Sequence, residues 1–336
     1  MSTTEHQPSR LAAVGEFGLI RRLVPRFALT AAVEVGPGDD AAVVRSSDGR
    51  VVATTDLLVE GRHFRLDWSS PYDVGRKAAA QSLSDVAAMG ARPTALLVGL
   101  GAPPETAVDL LEAVAEGLAA ECGLVGATVV GGDVVRTDGL LLAVTALGDL
   151  EGRRPVRRDG ARPGDRIVVA GGLGGAAAGL AMLTAGRSDV PAEVLAAHRR
   201  PEPPYAAGPL LAASGATSLI DVSDGFAGDL GHVLEASGVG ATVDVEAIPR
   251  HRALRTRWAD DIAADVLTAW LVSGGEDHAL VATLSPGDVA AATAALLGAG
   301  IALVDVGTVA TGAGITWLGL PAGTPPPGGF DHFSAR

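Results

Sequence analysis

Residues 51–58 read VVATTDLL, residues 71–90 read PYDVGRKAAAQSLSDVAAMG, and residues 95–100 read ALLVGL. The first and third segments are short apolar runs, which predict strands. The middle segment carries Asp73 near its start and Gly90 at its end, which predicts a helix. A helix between two strands is typical of a sheet covered by helices, so this stretch predicts an α/β architecture.

The same alternation of strands and helices continues on both sides of this stretch. Further helices are predicted over residues 15–25, 105–122, 176–184 and 287–297 and from residue 226 onward, and further strands over residues 140–147, 166–170, 218–222, 241–245, 269–273, 279–284 and 303–309. We therefore expect an α/β fold of mixed α+β character, in which helices cover the sheets.

A boundary between two domains is predicted in the middle of the chain. With 336 residues, the chain is long for a single domain. Residues 148–165 are rich in Gly, Pro and Arg, as is typical of an inter-domain segment. We therefore expect an N-terminal domain over residues 1–150 and a C-terminal domain over residues 151–336.

The composition excludes several classes of protein. The formal net charge is −13 and Lys77 is the only lysine, which argues against a nucleic-acid surface because such a surface needs clustered cations. No apolar run of about 18 residues predicts a membrane helix, and residues 1–10 lack the apolar core of a signal peptide. The single cysteine, Cys122, excludes an internal disulfide bond. We therefore expect a cytoplasmic protein with neither a membrane nor a nucleic-acid partner.

Short acidic segments are the most distinctive feature of the sequence. Six of them are expected at the ends of apolar strands or in Gly-rich turns, over residues 38–40, 54–56, 83–85, 131–133, 221–224 and 274–277. One such segment is most simply a solvated turn or a helix cap. Six together predict a shared site at the strand ends, where α/β sheets bind ligands. Because neighbouring carboxylates repel one another, such a site needs a cation, and Mg²⁺ with a nucleotide phosphate suits oxygen ligands.

The familiar nucleotide-binding motifs are missing or incomplete. A Walker A loop requires Gly-Lys-Ser/Thr, whereas Lys77 lies between Arg76 and Ala78. We expect Lys77 to be a solvated or snorkelling helix residue with no role in ATP binding. The glycines of residues 171–175 follow a strand and precede a helix, as in a dinucleotide-binding fingerprint, but close packing through small residues explains them equally well.

Two further features have both a functional and a structural interpretation. Residues 221–225 lie between a strand and an amphipathic helix, where backbone N–H groups attract anions. A helix cap explains this segment in part, but it does not explain Asp221. His63 is either a substrate contact or a structural histidine.

Eight motifs, taken in chain order, resemble those of the thiamine-monophosphate kinases. They are GEFGLI at residues 15–20, GDDAA at 38–42, TTDLLVEGRHF at 54–64, LSDVAAMGA at 83–91, GGD at 131–133, DVSDG at 221–225, SGGED at 273–277 and GFDHF at 329–333. The resemblance is specific because these motifs run in family order and cover nearly the whole chain.

The resemblance implies the two-domain fold of the aminoimidazole ribonucleotide synthetase superfamily, whose members bind ATP without a P-loop. It implies an N-terminal domain that forms a homodimer through its sheet and a C-terminal α/β domain that completes the active site. The implied reaction is the ATP-dependent phosphorylation of thiamine monophosphate to thiamine diphosphate, by direct transfer assisted by Mg²⁺. The implied partners are thiamine monophosphate, ATP and a second copy of the chain.

The resemblance also implies roles for individual residues. The Mg²⁺ ligands are expected to be Asp40, Thr54, Thr55, Asp56, Asp85, Asp133, Asp221 and Asp224. The ATP contacts are expected to be Gly132, Asp133, Arg158 and Ser223, and the thiamine monophosphate contacts His63, Glu276 and Phe330. No residue is assigned as a general base, because the acceptor is the phosphate of the substrate, which is largely ionised near neutral pH.

The sequence departs from the family pattern at Arg62, Phe226 and His278, and these departures concern the pocket more than the chemistry. Three alternative functions remain open at this point. The first is another ATP-dependent synthetase of the same superfamily. The second is a dinucleotide-binding oxidoreductase that uses residues 171–175, and the third is a non-catalytic metal-binding module.

Overall fold

The computed structural model describes residues 10–37, 41–187 and 189–320. Two of the predicted site residues, Asp40 and Phe330, lie outside these ranges. Among the described residues, no helix is both long enough and apolar enough to cross a membrane.

Unit 1, formed by Met1–Ser82 and Pro93–Gly148, contains a four-stranded sheet. Its elements are α1 (Leu11–Leu23), β1 (Val33–Val35), β2 (Val43–Val44), β3 (Val52–Val59), α2 (Pro71–Ala88), β4 (Arg92–Ala102), α3 (Val108–Val125), β5 (Thr128–Arg136) and β6 (Leu141–Asp149), of which α2 continues into unit 2. The strand order is β3-β6-β4-β5, with β3 and β6 antiparallel and β4 and β5 parallel. Strands β1 and β2 form a separate antiparallel pair.

The two faces of the four-stranded sheet differ in burial. Along β3, Asp56 and the fully buried Leu58 point to one face, whereas Thr55 and Leu57 point to the other, where Leu57 is 55% exposed. Val144 of β6 pairs with Asp56 and is also buried. Because successive side chains of a strand alternate between faces, the sheet has one covered face and one open face. We use "open face" for the side that carries Thr55 and Leu57.

Helices α2 and α3 cross at two glycines. A Cβ atom at Gly75 would lie 2.0 Å from the carbonyl oxygen of Val114, and one at Gly117 would lie 2.1 Å from the carbonyl oxygen of Tyr72. Both distances are far shorter than a van der Waals contact, so the crossing requires glycine at both positions. This close crossing fixes the position of α2, a helix that carries a predicted site residue and residues that contact other predicted site residues.

Unit 2, formed by Leu83–Arg92 and Asp149–Arg336, contains a six-stranded sheet. After the end of α2, its elements are β7 (Arg166–Ala170), α4 (Gly175–Thr184), α5 (Ala192–Arg199), α6 (Ala207–Ala213), β8 (Ser218–Asp221), α7 (Phe226–Ser237), β9 (Gly240–Asp244), α8 (Ala264–Ser273), β10 (Leu280–Leu284), α9 (Val289–Gly298), β11 (Leu303–Ala310) and β12 (Gly314–Leu318). The strand order is β12-β9-β11-β7-β10-β8; β12 and β9 are parallel, and the other pairs are antiparallel.

One core of unit 2 forms where α6 and α9 pack against the sheet. Leu211 of α6 and Leu296 of α9 are fully buried against Leu219 of β8 and Leu284 of β10. The end of α2 contributes Ala87 to the same core. Burial of these apolar side chains holds β8 in place, and β8 ends at the predicted ligand Asp221.

The predicted fold class is confirmed, but one predicted strand is wrong. Residues 269–273 form the last turn and a half of α8 rather than a strand. Leu267 and Leu271, four residues apart, are both buried, which is helical spacing. A short apolar run does not distinguish a strand from a buried helix segment, and this one was too short to reveal the helical period. The other predicted helices and strands are present, with ends that differ by a few residues.

The glycine-rich turn of residues 171–175 is filled by protein atoms. A Cβ atom at Gly175 would lie 2.4 Å from Cγ of His251. The carboxylate of Asp277 accepts hydrogen bonds from the N–H groups of Gly174 (2.6 Å) and Ala176 (2.9 Å) at the start of α4. A bound pyrophosphate would need those same N–H groups. The turn therefore serves close packing, and the dinucleotide alternative loses its site.

His251 is neutral in the folded protein near neutral pH. Its Nδ1 accepts a hydrogen bond from the N–H group of Ala253 at 3.2 Å. Burial, together with the positive charge of Arg252, lowers the pKa of His251 to about 4. In an unfolded chain a histidine has a pKa of about 6.5. Between these two values the unfolded chain binds a proton that the folded protein does not.

We expect Gly117→Ala to destabilise the protein, because the added methyl group would press into the backbone of α2. The free energy of unfolding should fall by about 1–3 kcal/mol or more. Gly123→Ala is the matched control, since it lies in the same helix and no atom lies within 4 Å of its added Cβ. That control should leave stability unchanged or raise it by up to about 1 kcal/mol. Equal midpoints of urea unfolding for the two variants would contradict the close crossing.

We expect the stabilisation from neutral His251, present above pH 6.5, to be lost as the pH falls toward 4. The loss on acidification should amount to about 3 kcal/mol at most, because only the unfolded chain binds the proton in this range. Urea unfolding across this pH range should show a smaller loss of unfolding free energy in His251→Asn than in the wild-type protein, because asparagine does not titrate and retains an acceptor for the N–H group of Ala253. The same pH dependence in both proteins would contradict a depressed pKa.

Candidate active site

The first group of predicted site residues lies in the middle of β3. Thr54 and Asp56 point to the covered face, where Oγ of Ser82 on α2 donates a hydrogen bond to Oδ2 of Asp56 at 2.7 Å. Thr55 points to the open face, and its Oγ1 accepts a hydrogen bond from Oγ1 of Thr145 at 3.1 Å. The side-chain oxygens of Thr54 and Thr55 therefore lie on opposite faces of the sheet, as the strand period requires.

Gly132 and Asp133 lie within β5, at one edge of the sheet. Asp133 pairs with Gly99 of β4. A Cβ atom at Gly99 would lie 3.5 Å from Cβ of Ala143, which in turn pairs with Leu57. Residues directly opposite each other on neighbouring strands share a face, so Asp133 belongs to the open face.

The expectation that the acidic segments end strands or lie in turns is wrong for three of them. Asp56 and Asp133 lie inside β3 and β5, and Asp85 lies inside α2. Both carboxylates are tolerated inside strands because neither is buried without a partner: Asp56 accepts a hydrogen bond from Ser82, and Asp133 is exposed. Asp221 is the last residue of β8, as the sequence predicts.

His63 lies in the turn that follows β3. Its Nδ1 accepts a hydrogen bond from the N–H group of Val59 at 3.0 Å. Its carbonyl oxygen accepts a hydrogen bond from Nζ of Lys77 in α2, also at 3.0 Å. The expectation that Lys77 is solvated is wrong, because the residue is only 1% exposed. Its ammonium group bonds the turn inside the protein instead of extending along the surface.

In unit 2, residues 221–225 and residues 273–278 run side by side. The N–H group of Glu276 donates to the carbonyl oxygen of Ser223 at 2.8 Å, and the N–H group of His278 donates to the preceding carbonyl at 2.8 Å. These bonds bring together four of the predicted site residues, namely Asp221, Ser223, Asp224 and Glu276.

Asp229, in the first turn of α7, fixes the loop that precedes this helix. Its Oδ2 accepts hydrogen bonds from the N–H groups of Asp224 (3.0 Å) and Gly225 (3.1 Å). Burial and the negative charge of Asp221 raise the pKa of Asp229 to about 7. A bound cation would relieve this repulsion between carboxylates.

His278 contacts one predicted metal ligand and responds to the charge of another. Its Nδ1 lies 3.1 Å from Oδ2 of Asp221, and both side chains are buried. Burial opposes protonation, but the hydrogen bond and charge of Asp221, with the charges of Glu276 and Asp85, raise the pKa of His278. The departure from the family pattern at His278 therefore places a hydrogen-bonding ring against Asp221.

Glu276 has a backbone conformation that is rare for residues other than glycine, with φ of +65°. Such strained residues persist only where their surroundings hold them, and they cluster at functional sites. Oε2 of Glu276 lies 3.1 Å from Nδ1 of the buried His198, in the last turn of α5. Helix α5 thus places a buried imidazole beside the carboxylate of Glu276.

Arg158 lies apart from the other predicted residues of unit 2. Its carbonyl oxygen accepts a hydrogen bond from Oγ of Ser237, the last residue of α7, at 2.9 Å. Ser223 precedes the first turn of the same helix. A helix of 12 residues is roughly 18 Å long, so the backbones of Arg158 and Ser223 lie at opposite ends of α7.

The oxygen donors occur as two partial groups, one around Asp56 in unit 1 and one around Asp221 in unit 2. Within residues 10–37, 41–187 and 189–320, no group of three or more His, Cys, Asp or Glu side chains is arranged to hold a metal ion. The donors that are described are carboxylates and hydroxyls, which are the ligands of a hard cation.

Sequence reasoning missed two residues that shape these groups, His198 and Asp229. It placed Lys77 in solvent and named His278 only as a departure from the family pattern. The sequence contains a signal for the role of Asp229, because an acidic residue in the first turn of a predicted helix favours hydrogen bonds to the preceding backbone. The sequence contains no such signal for His198, because His198 and Glu276 are 78 residues apart in the sequence (276 − 198).

Comparison with known proteins identifies the family. Residues 38–150 match the AIR synthase related protein, N-terminal domain, and residues 162–317 match the AIR synthase related protein, C-terminal domain. The thiamine-monophosphate kinase of Mycobacterium tuberculosis (strain CDC 1551 / Oshkosh) is 48% identical over 286 residues, which cover 84% of this chain and 85% of that relative.

Two solved structures resemble the whole chain. The crystal structure of thiamine-monophosphate kinase from Stenotrophomonas maltophilia K279a has a TM-score of 0.78 at 32% identity and covers 90% of this chain and 94% of its own. The structure described as AaThiL complexed with AMPPCP and TMP has a TM-score of 0.75 at 29% identity and covers 99% of this chain and 100% of its own.

The two family matches together span most of the chain. The bacterial relative is nearly half identical over most of both sequences. These likenesses confirm the resemblance found in the eight motifs: the chain belongs to the thiamine-monophosphate kinases, a family of AIR synthase related proteins.

Proposed function

We propose that the protein transfers the terminal phosphate of ATP to thiamine monophosphate and so produces thiamine diphosphate, in the cytoplasm. The observation that carries this proposal is the pairing of residues 221–225 with residues 273–278 in unit 2. The carboxylates of Asp221 and Asp224 suit a metal–phosphate group, and the carboxylate of Glu276 suits a cationic ring. The pairing bonds the segment that carries the two aspartates to the segment that carries Glu276. Family membership supports the same reaction.

The acceptor in this reaction is an oxygen of the phosphate of thiamine monophosphate. This phosphate is largely ionised near neutral pH, so no residue is needed to remove a proton from it. The main barrier is the approach of two negatively charged phosphate groups. The protein therefore contributes by positioning the two substrates and by neutralising their charge, as in other phosphoryl transfers.

Gly132, Asp133, Ser223 and Arg158 are the residues that we propose for ATP. A Cβ atom at Gly132 would lie 1.9 Å from the carbonyl oxygen of Val98, so only glycine fits at this point of the edge strand β5. The exposed backbone beside Asp133 is then accessible to a nucleotide without a P-loop. For Arg158, the placement at the far end of α7 separates its backbone from Ser223, so its role rests on the family resemblance.

Mg²⁺ is the cofactor that we propose, and the donor chemistry fits it. The proposed ligands are Asp40, Thr54, Thr55, Asp56, Asp85, Asp133, Asp221 and Asp224. The described members offer only oxygen atoms, and the negative charge of Asp221 adds to burial in raising the pKa of Asp229. When bound, Mg²⁺ neutralises charge on the transferring phosphates. The protein orients the ligands, as Ser82 does for Asp56 and His278 does for Asp221.

Glu276, His63 and Phe330 are the residues that we propose for thiamine monophosphate. The carboxylate of Glu276, which lies beside His198, suits the positive thiazolium or the ring amine. The ring of His63 suits the phosphate, because its Nδ1 already accepts a bond and Nε2 carries the proton of the neutral form. Phe330 offers an aromatic face to a cationic ring.

We further propose that the protein is a homodimer in which a second copy covers the open face of unit 1. Leu57, Leu97 and Val135 lie on this face and are 55%, 37% and 48% exposed. An apolar face of this kind favours association with a partner surface. Asp133 lies on the same face, which relates the proposed nucleotide contact to the proposed interface.

One assay tests the proposed function against its alternatives. The purified protein is incubated with ATP, Mg²⁺ and thiamine monophosphate, and thiamine diphosphate is measured by chromatography. We expect the amount of thiamine diphosphate formed to rise in proportion to the amount of enzyme added. No product, with ATP consumed on another phosphate or amide acceptor, would indicate a different synthetase of the superfamily. No consumption of ATP under any condition, with metal still bound, would indicate a non-catalytic metal-binding module.

We expect turnover to stop on chelation and to return with added Mg²⁺. Asp56→Asn should lower kcat on the order of 100-fold, because a metal ligand is worth several kcal/mol of charge stabilisation in the transition state. The fold should survive, since the asparagine oxygen still accepts the bond from Ser82. Asp67→Asn, which alters only an exposed ion pair with Arg65, is the control and should retain full activity. Normal activity of Asp56→Asn at limiting Mg²⁺ would remove Asp56 from the site.

We expect Glu276→Gln to raise KM for thiamine monophosphate roughly tenfold, because the variant keeps the shape of Glu276 but loses the charge that attracts the cationic ring. The affinity for ATP, measured by equilibrium binding, should change less than about twofold. Glu202→Gln, which alters an exposed ion pair with Arg252 in the same unit, is the matched control. A parallel loss of both ligands would argue that Glu276 only stabilises unit 2.

A further inference from the structure

Lys77, the only lysine of the chain, is 1% exposed. Removing an ammonium group from water is costly unless polar atoms replace the water. One of its partners is the carbonyl oxygen of His63, 3.0 Å from Nζ. A charge buried at this cost, and bonded to the backbone of a proposed substrate contact, calls for a role beyond packing.

The turn that holds His63 is tightly defined. The N–H group of His63 donates to the carbonyl oxygen of Val59 at 3.0 Å, and the N–H group of Gly61 donates to the carbonyl oxygen of Phe64 at 2.8 Å. Phe64 is only 2% exposed and anchors the end of the turn. The bond from Lys77 adds a contact from α2, the helix that follows this turn in the chain.

The ring of His63 is oriented by the same turn. Its Nδ1 accepts the N–H group of Val59 at 3.0 Å, so the proton of the neutral ring resides on Nε2. Nε2 is therefore a hydrogen-bond donor, which a phosphate oxygen can accept. Rotation of the His63 peptide would move the ring away from Val59, and Lys77 holds the carbonyl of that peptide.

We propose that Lys77 is a positioning residue for substrate binding: by holding the carbonyl oxygen of His63, it keeps the imidazole in the orientation and tautomer that bind the phosphate of thiamine monophosphate. This inference rests on the proposed function. It assigns Lys77 to the acceptor substrate and not to ATP, in contrast to the lysine of a P-loop.

The first test compares ligand affinities in Lys77→Met. Methionine has a similar length, so the variant removes the charge and the donor but leaves little empty space. KM for thiamine monophosphate should rise roughly 3- to 30-fold, as expected for the loss of a bond from a charged donor. The dissociation constant of ATP should change less than about twofold. The melting temperature should fall, because the carbonyl oxygen of His63 loses its donor, but the affinity for ATP should not fall with it.

A double-mutant cycle tests whether Lys77 acts through His63. In the His63→Ala background, Lys77→Met should have no further effect on KM for thiamine monophosphate, since the ring that it positions is gone. Independent, multiplicative effects of the two substitutions would overturn the proposal.

Glu121→Gln is the matched structural control. Glu121 is buried and pairs with Arg76, the neighbour of Lys77 in α2. The control disturbs a buried charge on the same helix without touching the turn, so it should lower the melting temperature and affect both ligands alike. The same pattern in Lys77→Met would show a merely structural role and would overturn the proposal. If Lys77→Met does not fold, Lys77→Gln, whose side chain is too short to reach His63, is measured in the same way.

Nitrogen NMR of the His63 ring gives a readout that does not depend on activity. The wild-type protein should show the Nε2–H tautomer, and Lys77→Met should show exchange between tautomers. An unchanged tautomer together with an unchanged KM would overturn the proposal. Failure of the wild-type protein to form thiamine diphosphate would instead reject the proposed function, and the NMR comparison would still decide whether Lys77 positions His63.

Discussion

The backbone contact between residues 221–225 and residues 273–278 is the constraint on which unit 2 depends. A Cβ atom at Gly225 would lie 2.7 Å from the carbonyl oxygen of Ser273, and one at Gly275 would lie 2.5 Å from that of Ser223. Without side chains at these two glycines, the segments approach closely enough for direct bonds between their backbones. The acidic residues of one segment and Glu276 of the other are placed by that approach, and the left-handed conformation of Glu276 is part of its cost.

Electrostatic repulsion between carboxylates is the second feature of this part of unit 2. Asp221, Asp224 and Asp229 are held on one short stretch, and the buried His278 ring bonds Asp221 from the other segment. Burial and then the negative charge of Asp221 raise the pKa of Asp229, whereas the pKa of His278 is raised against burial by the hydrogen bond and charge of Asp221. A bound cation would offset this negative charge.

The sequence predicts those parts of the fold and site that are local in the chain. Asp221 follows an apolar strand and precedes an amphipathic helix, and both elements are where periodicity places them. The end of α8 is wrongly predicted because a run of four apolar residues carries too little periodicity to distinguish a strand from a helix. The opposite faces of Thr54 and Thr55 follow from the strand once β3 is known, whereas the contact between His198 and Glu276 depends on packing between distant segments. The eight motifs indicate the family, and the family implies roles for individual residues that the spacing of residues alone does not predict.

The burial of the only lysine has a practical consequence for chemistry on this protein. Reagents that modify amines meet an enclosed Nζ at Lys77 in the folded protein. Opening of the turn of residues 59–64 releases the bond from Nζ to His63, and it is one route by which Lys77 becomes reactive. The rate of acylation at this one position therefore counts local opening events, and the protein contains its own reporter of motion beside β3.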